Sequence, residues 1–167
     1  MGYFTHKRYR LMVLIIMCMK TVNGESDCSK EDELYVIRSV SSGLVLDASE
    51  PDQIQIQYFT GFAQQLWRFE RGTHAGLFRI VNNATGTPLD YHYYLDNWYG
   101  LNVNASTEQE FFINAKGTIT NVNTSWNFDI LQNHTVPGTF VGLYKEDGNL
   151  AQQFTLQEKM LLAKHEP

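Results

Sequence analysis

Three stretches of this chain end in the same way. Gln65-Leu66-Trp67, Gln109-Glu110-Phe111 and Gln152-Gln153-Phe154 each set a glutamine two residues ahead of a large aromatic, and the aromatics fall 44 and 43 residues apart. Self-similarity at a fixed period constrains a fold more than any single motif, because each copy must be one structural unit that buries its apolar face against the others. The opening of the unit repeats as well. Tyr35 to Asp47 lies over Phe78 to Asp90 at an offset of 43 with no gap: an apolar-rich run, a polar turn closing on Gly43 or Gly86, and a second run leaving through Leu46-Asp47 or Leu89-Asp90. Glycine suits that turn because it accepts the positive φ of a tight hairpin. The third copy, Ile119 to Asp129, replaces the glycine turn with Asn, Thr and Ser and leaves through Phe128-Asp129. Short strands, recurring turn signals and no sustained helical period after position 33 predict an all-β domain.

These units resemble the ricin B-type β-trefoil lectins, with three pseudo-repeats of about 43 residues, each with a Leu-Asp-type hairpin exit and a Gln-x-Trp/Phe closing strand. The resemblance runs from about Leu34 to Leu156. It implies a closed six-stranded barrel capped by three hairpins around a pseudo-threefold axis. Closure removes exposed sheet edges, which suits a domain without internal disulfides. It also implies carbohydrate binding through three kinds of residue: the Asp leaving the first hairpin, an aromatic about ten residues before the closing aromatic, and polar side chains near the Gln.

The closing aromatics themselves are poor candidates for that work. Trp67, Phe111 and Phe154 recur in strands beside Leu66, Phe69, Phe112 and Leu156, the pattern of core anchors. Their glutamine partners are expected to satisfy backbone groups. A sugar instead needs an exposed ring for its C–H face, a carboxylate to accept its hydroxyl protons and amides that can donate or accept. The third repeat comes nearest, with Asp129, Tyr144, Gly148, Asn149 and Gln152, although Gly142 and Ala151 stand where an amide often sits. The first repeat has Asp47 and Gln65 but Gln57 at the aromatic position, with Tyr58 beside it, and is expected to be degenerate. The second has Asp90 and Gln109 with Leu101 at the counted position. It also carries the most aromatic run of the chain, Tyr91 to Gly100, from which Trp98 or Tyr99 is a candidate stacking platform for Asp90. Others of those rings fit a strand that alternates into the barrel.

The ends of the chain speak to its location. Lys7, Arg8 and Arg10 precede the apolar run Leu11 to Met19, with Val22 and Gly24 as small residues before a cut, so residues 1–24 read as a signal peptide. That run is too short to cross a bilayer, and nothing later is longer, so no membrane insertion is expected. Residues 25–33 form an acidic leader, 34–156 the trefoil domain and 157–167 a tail. Four sequons, at Asn83, Asn104, Asn123 and Asn133, fit a secreted, extracellular glycoprotein. Cys18 leaves with the signal peptide, so Cys28 is the remaining thiol and a candidate for a disulfide-linked dimer. Four of the thirteen Lys and Arg leave too, and the rest face eighteen Asp and Glu. So acidic a surface is a poor partner for nucleic acid or anionic lipid.

No catalytic group stands out. His74, His92, His134 and His165 are scattered without metal-ligand spacing, and no nucleophile elbow, phosphate loop or dinucleotide fingerprint occurs. Asp90 with Asp96, or Glu146 with Asp147, reads better as solvated turn carboxylates than as a glycosidase pair. The expectation is a non-enzymatic, cofactor-free lectin whose partners are glycans or glycoproteins. Because one fold hosts many functions, a protease inhibitor acting through the Gln132–Thr139 loop, around Pro137-Gly138, is the alternative, and an inert trefoil joined through Cys28 a third.

Overall fold

The computed structural model describes residues 33–95, 98–103 and 109–159. The signal segment, Cys28 and the leader up to position 32, the sequon asparagine Asn104, and His165 with the end of the tail lie outside the described residues.

Six strands make the barrel: β1 (Tyr35–Ser39), β4 (Trp67–Arg71), β5 (Phe78–Asn82), β8 (Phe111–Ile113), β9 (Ile119–Asn121) and β12 (Phe154–Glu158). β1 pairs with β4, β4 with β5, β5 with β8, β8 with β9 and β12 with β1, all antiparallel. The ring closes just ahead of β9, where the Phe154 N–H donates to the Gly117 carbonyl at 2.9 Å. Three equivalent seams result: Tyr35 faces Trp67, Phe78 faces Phe111, and Gly117 meets Phe154.

Three hairpins cap the barrel: β2 (Val45–Asp47) with β3 (Gln55–Gln57), β6 (Asp90–Leu95) with β7 (Trp98–Asn102), and β10 (Asn127–Ile130) with β11 (Thr139–Tyr144). They join one another, since β11 pairs with both β3 and β7 and the Ile54 N–H donates to Leu101 O. The chain is all-β with a threefold plan, as the period predicts.

Local chemistry repeats with the topology. In each unit a five-residue turn is closed by one backbone bond: Gly43 N–H to Ser39 O, Gly86 N–H to Asn82 O, Ser125 N–H to Asn121 O. The third residue of that set has φ 60°, against 73° and 70° for the two glycines. Ser125 therefore holds a left-handed conformation in which a side chain is costly. The Asn121 carboxamide oxygen accepts from the backbone N–H of Asn123 and Thr124, as Asn82 does from Ala84 and Thr85 in the second unit's glycine turn. Each turn is also tied to another unit: Val40 N–H donates to Gln153 O, Asn83 N–H to Leu66 O, and Val122 N–H to Glu110 O.

The core follows the same triplets. Ile37, Ile80 and Ile119, then Leu46, Leu89 and Phe128, and finally Trp67, Phe111 and Phe154 are all buried. Phe111 and Phe128 meet edge to face at 5.3 Å, as do Phe128 and Phe154 at 6.1 Å. The closing aromatics are thus core anchors, and the Trp67 indole N–H reaches Leu46 O at 3.3 Å.

Candidate functional site

The repeated Gln does more than satisfy the backbone. In the first repeat, Gln65 Nε2 donates to Asp47 Oδ2 at 2.7 Å and to Tyr58 O at 2.8 Å, while its Oε1 accepts from the Thr60 N–H. The third repeat copies this network. Gln152 Nε2 donates to Asp129 Oδ2 at 2.7 Å and to Lys145 O at 2.8 Å, and its Oε1 accepts from the Asp147 N–H. Both loops then turn through a glycine with φ 76°, Gly61 and Gly148. The sequence motif is therefore a clamp that fixes the hairpin-exit carboxylate and the following loop together. With both amide hydrogens engaged, Gln152 orients Asp129 and has no donor left for a ligand.

The clamped carboxylates differ in what they have left to offer. Asp47 is closed, its Oδ1 accepting from the Ser49 N–H at 2.7 Å while Oδ2 holds Gln65. Asp129 accepts Gln152 on Oδ2, and among the described residues its Oδ1 accepts no hydrogen bond. Asp129 is only 6% exposed. Burial, helped by the nearby Asp147 charge and opposed by the Gln152 hydrogen bond, raises its pKa to about 6. A desolvated carboxylate with an unclaimed oxygen is a strong acceptor awaiting a donor.

Strand register decides which neighbours can share that site. Across the β10–β11 ladder Asp129 faces Gly142, and Tyr144 faces Asn127. Side chains two apart on a strand share a face, so Tyr144 stands on the same side as Asp129, one step along. Gly142 is buried and places no side chain opposite the carboxylate. Tyr144 is 40% exposed. Asn149 is also exposed, but its side chain and backbone N–H both bond to Asp147, where it precedes the short 3₁₀ turn Leu150–Gln152. Its amide supports the loop.

The second repeat is arranged differently. Asp90 is buried and faces Asn102 across β6–β7, and Asn102 Nδ2 lies 3.0 Å from His92 Nδ1. Gln109 is buried too, accepting from Asn121 and Asn123 on Oε1. Tyr99 faces Tyr93 and, across β11, Leu143. By strand alternation Tyr99 is on the opposite side of the sheet from Asp90, so it is not the platform for that carboxylate. The Trp98 side chain lies outside the described residues.

Two features escaped sequence reasoning. Trp126, hidden in the irregular third turn, packs between Tyr99 at 5.1 Å and Tyr144 at 6.4 Å, with the Lys145 ammonium 5.9 Å from its ring centre. Equally, Tyr58-Phe59-Thr60-Gly61-Phe62 and Lys145-Glu146-Asp147-Gly148-Asn149 are the same loop with opposite chemistry, a parallel visible only through the shared clamp. The Gln132–Thr139 segment is exposed except at Thr139, but it folds back on the cap, with the Gly138 N–H donating to Ile56 O at 2.8 Å.

A family model described as ricin-type beta-trefoil lectin domain-like matches residues 21–96. The chain has a β-trefoil fold. It is similar in structure to the Rhizoctonia solani agglutinin, with TM-score 0.67 and 22% identity over 75% of this chain and 94% of that one. A ricin B-like lectin of Macrolepiota procera, solved with lactose, gives TM-score 0.64 and 23% identity over 74% and 94%. The C-half of an earthworm R-type lectin, solved with GalNAc, gives TM-score 0.60 and 16% identity over 76% and 99%. No curated protein matches the sequence. The trefoil's identity to each of these structures is low, and the barrel and cap are what they share.

Proposed function

We propose that this trefoil is a secreted, non-enzymatic lectin whose principal sugar site lies in the third repeat. The observation that carries the reading is Asp129: a buried carboxylate clamped by Gln152 on one oxygen, open on the other, facing a glycine and flanked by an exposed tyrosine. That set offers an acceptor for vicinal hydroxyls, no side chain directly across from it, and a ring for the C–H face of a sugar. The lactose and GalNAc complexes of similar folds make galactose-type sugars the first ligands to try. Asp47, with both oxygens engaged, leaves the first repeat without such an acceptor. Secretion is read from Lys7, Arg8 and Arg10 ahead of the apolar run. N-terminal sequencing of protein from the medium should begin near residue 25, and a start within residues 1–20 would refute it.

A glycan array with the purified protein tests the lectin reading, and two variants locate the site. Tyr144→Ala should cost about 1 kcal/mol of stability at most and abolish measurable glycan binding. A folded variant that still binds as wild type would remove Tyr144 from the site.

Titration gives an independent check. Sugar hydroxyls donate to the ionised carboxylate, so affinity should be constant above about pH 7 and decline as pH falls through about 6, where Asp129 protonates. Stability runs the other way. Because the folded-state pKa is raised, the proton on Asp129 stabilises the fold fully below the unfolded value near 4, and that contribution is lost as pH rises through about 6. Asp129→Asn keeps an acceptor for Gln152 and removes the charge. It should raise stability at pH 7.5 by on the order of 2 kcal/mol, have little effect at pH 4, and eliminate sugar binding at both. Binding that is flat from pH 8 to 5 would exclude Asp129 as the acceptor.

A further inference from the structure

Tyr58, Phe59 and Phe62 stand 70%, 37% and 65% exposed on the loop that follows β3. The fold does not require them, because the same clamp holds the third-repeat loop with Lys145, Glu146 and Asn149 at the equivalent places. The loop is nevertheless fixed. Gln65 binds the Tyr58 carbonyl, the Thr60 N–H and the Thr60 hydroxyl, Gly61 turns at φ 76°, and the Phe62 and Ala63 carbonyls accept from the backbone N–H of Gln65 and Leu66. No charged residue occurs from Gln53 to Trp67. Arg38 lies beside this uncharged stretch, its guanidinium 5.8 Å from the centre of the Phe59 ring.

Three open rings on a rigid, uncharged loop form a binding feature rather than a packing one. Sugar is not what they meet, since both oxygens of Asp47, the carboxylate of this repeat, are engaged. A protein partner makes about one hydrogen bond for each 100–200 Å² of interface, whereas this loop turns the polar groups named above inward. A lipid surface has the opposite demands: rings for its apolar boundary, and backbone groups already satisfied when they leave water. We infer that Tyr58, Phe59 and Phe62 form a peripheral membrane contact, their rings entering the boundary between headgroups and acyl chains of a neutral, zwitterionic bilayer without spanning it. Arg38, at the edge of the contact, supplies a cation for a lipid phosphate. The excess of Asp and Glu over Lys and Arg opposes an anionic leaflet, which leaves the neutral one as the partner.

The test is flotation of the whole secreted protein with sugar-free phosphatidylcholine vesicles, so that its outcome does not depend on the lectin reading. Wild type should float with the vesicles. Tyr58→Lys and Phe62→Asn, made singly and together, introduce what the third loop carries within the same clamp, so thermal melts should match wild type. The double variant should lower the partition coefficient about tenfold or more. Val136→Ser, at an exposed apolar residue elsewhere, should leave it unchanged. Wild type that stays with the unbound fraction would overturn the inference, as would folded variants that float equally well. An equal loss in Val136→Ser would also overturn it, by making the adsorption a general property of exposed apolar groups. So would a wild-type dimer, seen by light scattering in reducing buffer, that the double variant converts to monomer, because the rings would then cover a second copy of the chain.

Discussion

Trp67→Ala should destabilise the domain by about 3 to 5 kcal/mol, the cost of truncating a large buried aromatic. Trp67 is fully buried, its indole N–H bonds to Leu46 O, and its backbone forms one of the three barrel seams with Tyr35. A domain of this size has about 5 to 15 kcal/mol in total, so the loss leaves it near the threshold for folding. The equivalent positions hold Phe111 and Phe154, which makes Trp67→Phe the informative control. It should cost well under half as much, because only the indole's second ring and its hydrogen bond are lost. Urea denaturation of the two variants gives the comparison. Equal costs would mean that the site does not tolerate the ring that serves its symmetry mates.

Gly117→Val should be damaging by a different route. Gly117 has φ 87°, and a Cβ there would collide with the carbonyl oxygen of Phe154, the residue whose N–H closes the barrel on Gly117 O. Neither partner can yield, because both are backbone. The expected cost is about 3 kcal/mol or more, combining a β-branched residue at positive φ with an opened seam. Gly43 supplies the contrast: its φ is 73°, but nothing lies within 4 Å of where its Cβ would be. Gly43→Ala should therefore cost about 1 to 2 kcal/mol, the conformational term alone. Thermal melts that show Gly117→Val no worse than Gly43→Ala would mean the seam is looser than described.

The fold was legible because its information is repeated. Three Gln-x-aromatic endings and three Leu-Asp or Phe-Asp exits are core and clamp positions, and a barrel of three units needs those same residues three times. Gly117 was not legible, since it stands where the other units have Tyr35 and Phe78 and nothing in the pattern marks it. The site was only partly readable. Asp129 and Tyr144 could be picked by counting from the closing aromatic, but which residue lies across from the carboxylate depends on hairpin length. That length differs among the three caps, so Asp47 faces Gln55, Asp90 faces Asn102 and Asp129 faces Gly142. Tyr99 illustrates the same point, because a shift of one position along a strand sends a ring to the other face. Gln152 was readable as a polar residue near the site, but its actual duty required seeing both of its donors engaged.

The pairing of the first and last barrel strands also governs when the domain can form. Tyr35 to Ser39 align with Phe154 to Glu158 over five consecutive positions, and the first turn is tied to Gln153. A nascent chain therefore carries β1 with an unsatisfied edge through the synthesis of everything between, and the barrel locks only once residue 158 has emerged. Folding is dominated by contacts between distant parts of the chain and is accordingly slow. During that interval the apolar strands have no partner within the chain to cover them, so the incomplete barrel is exposed to association until its last strand arrives.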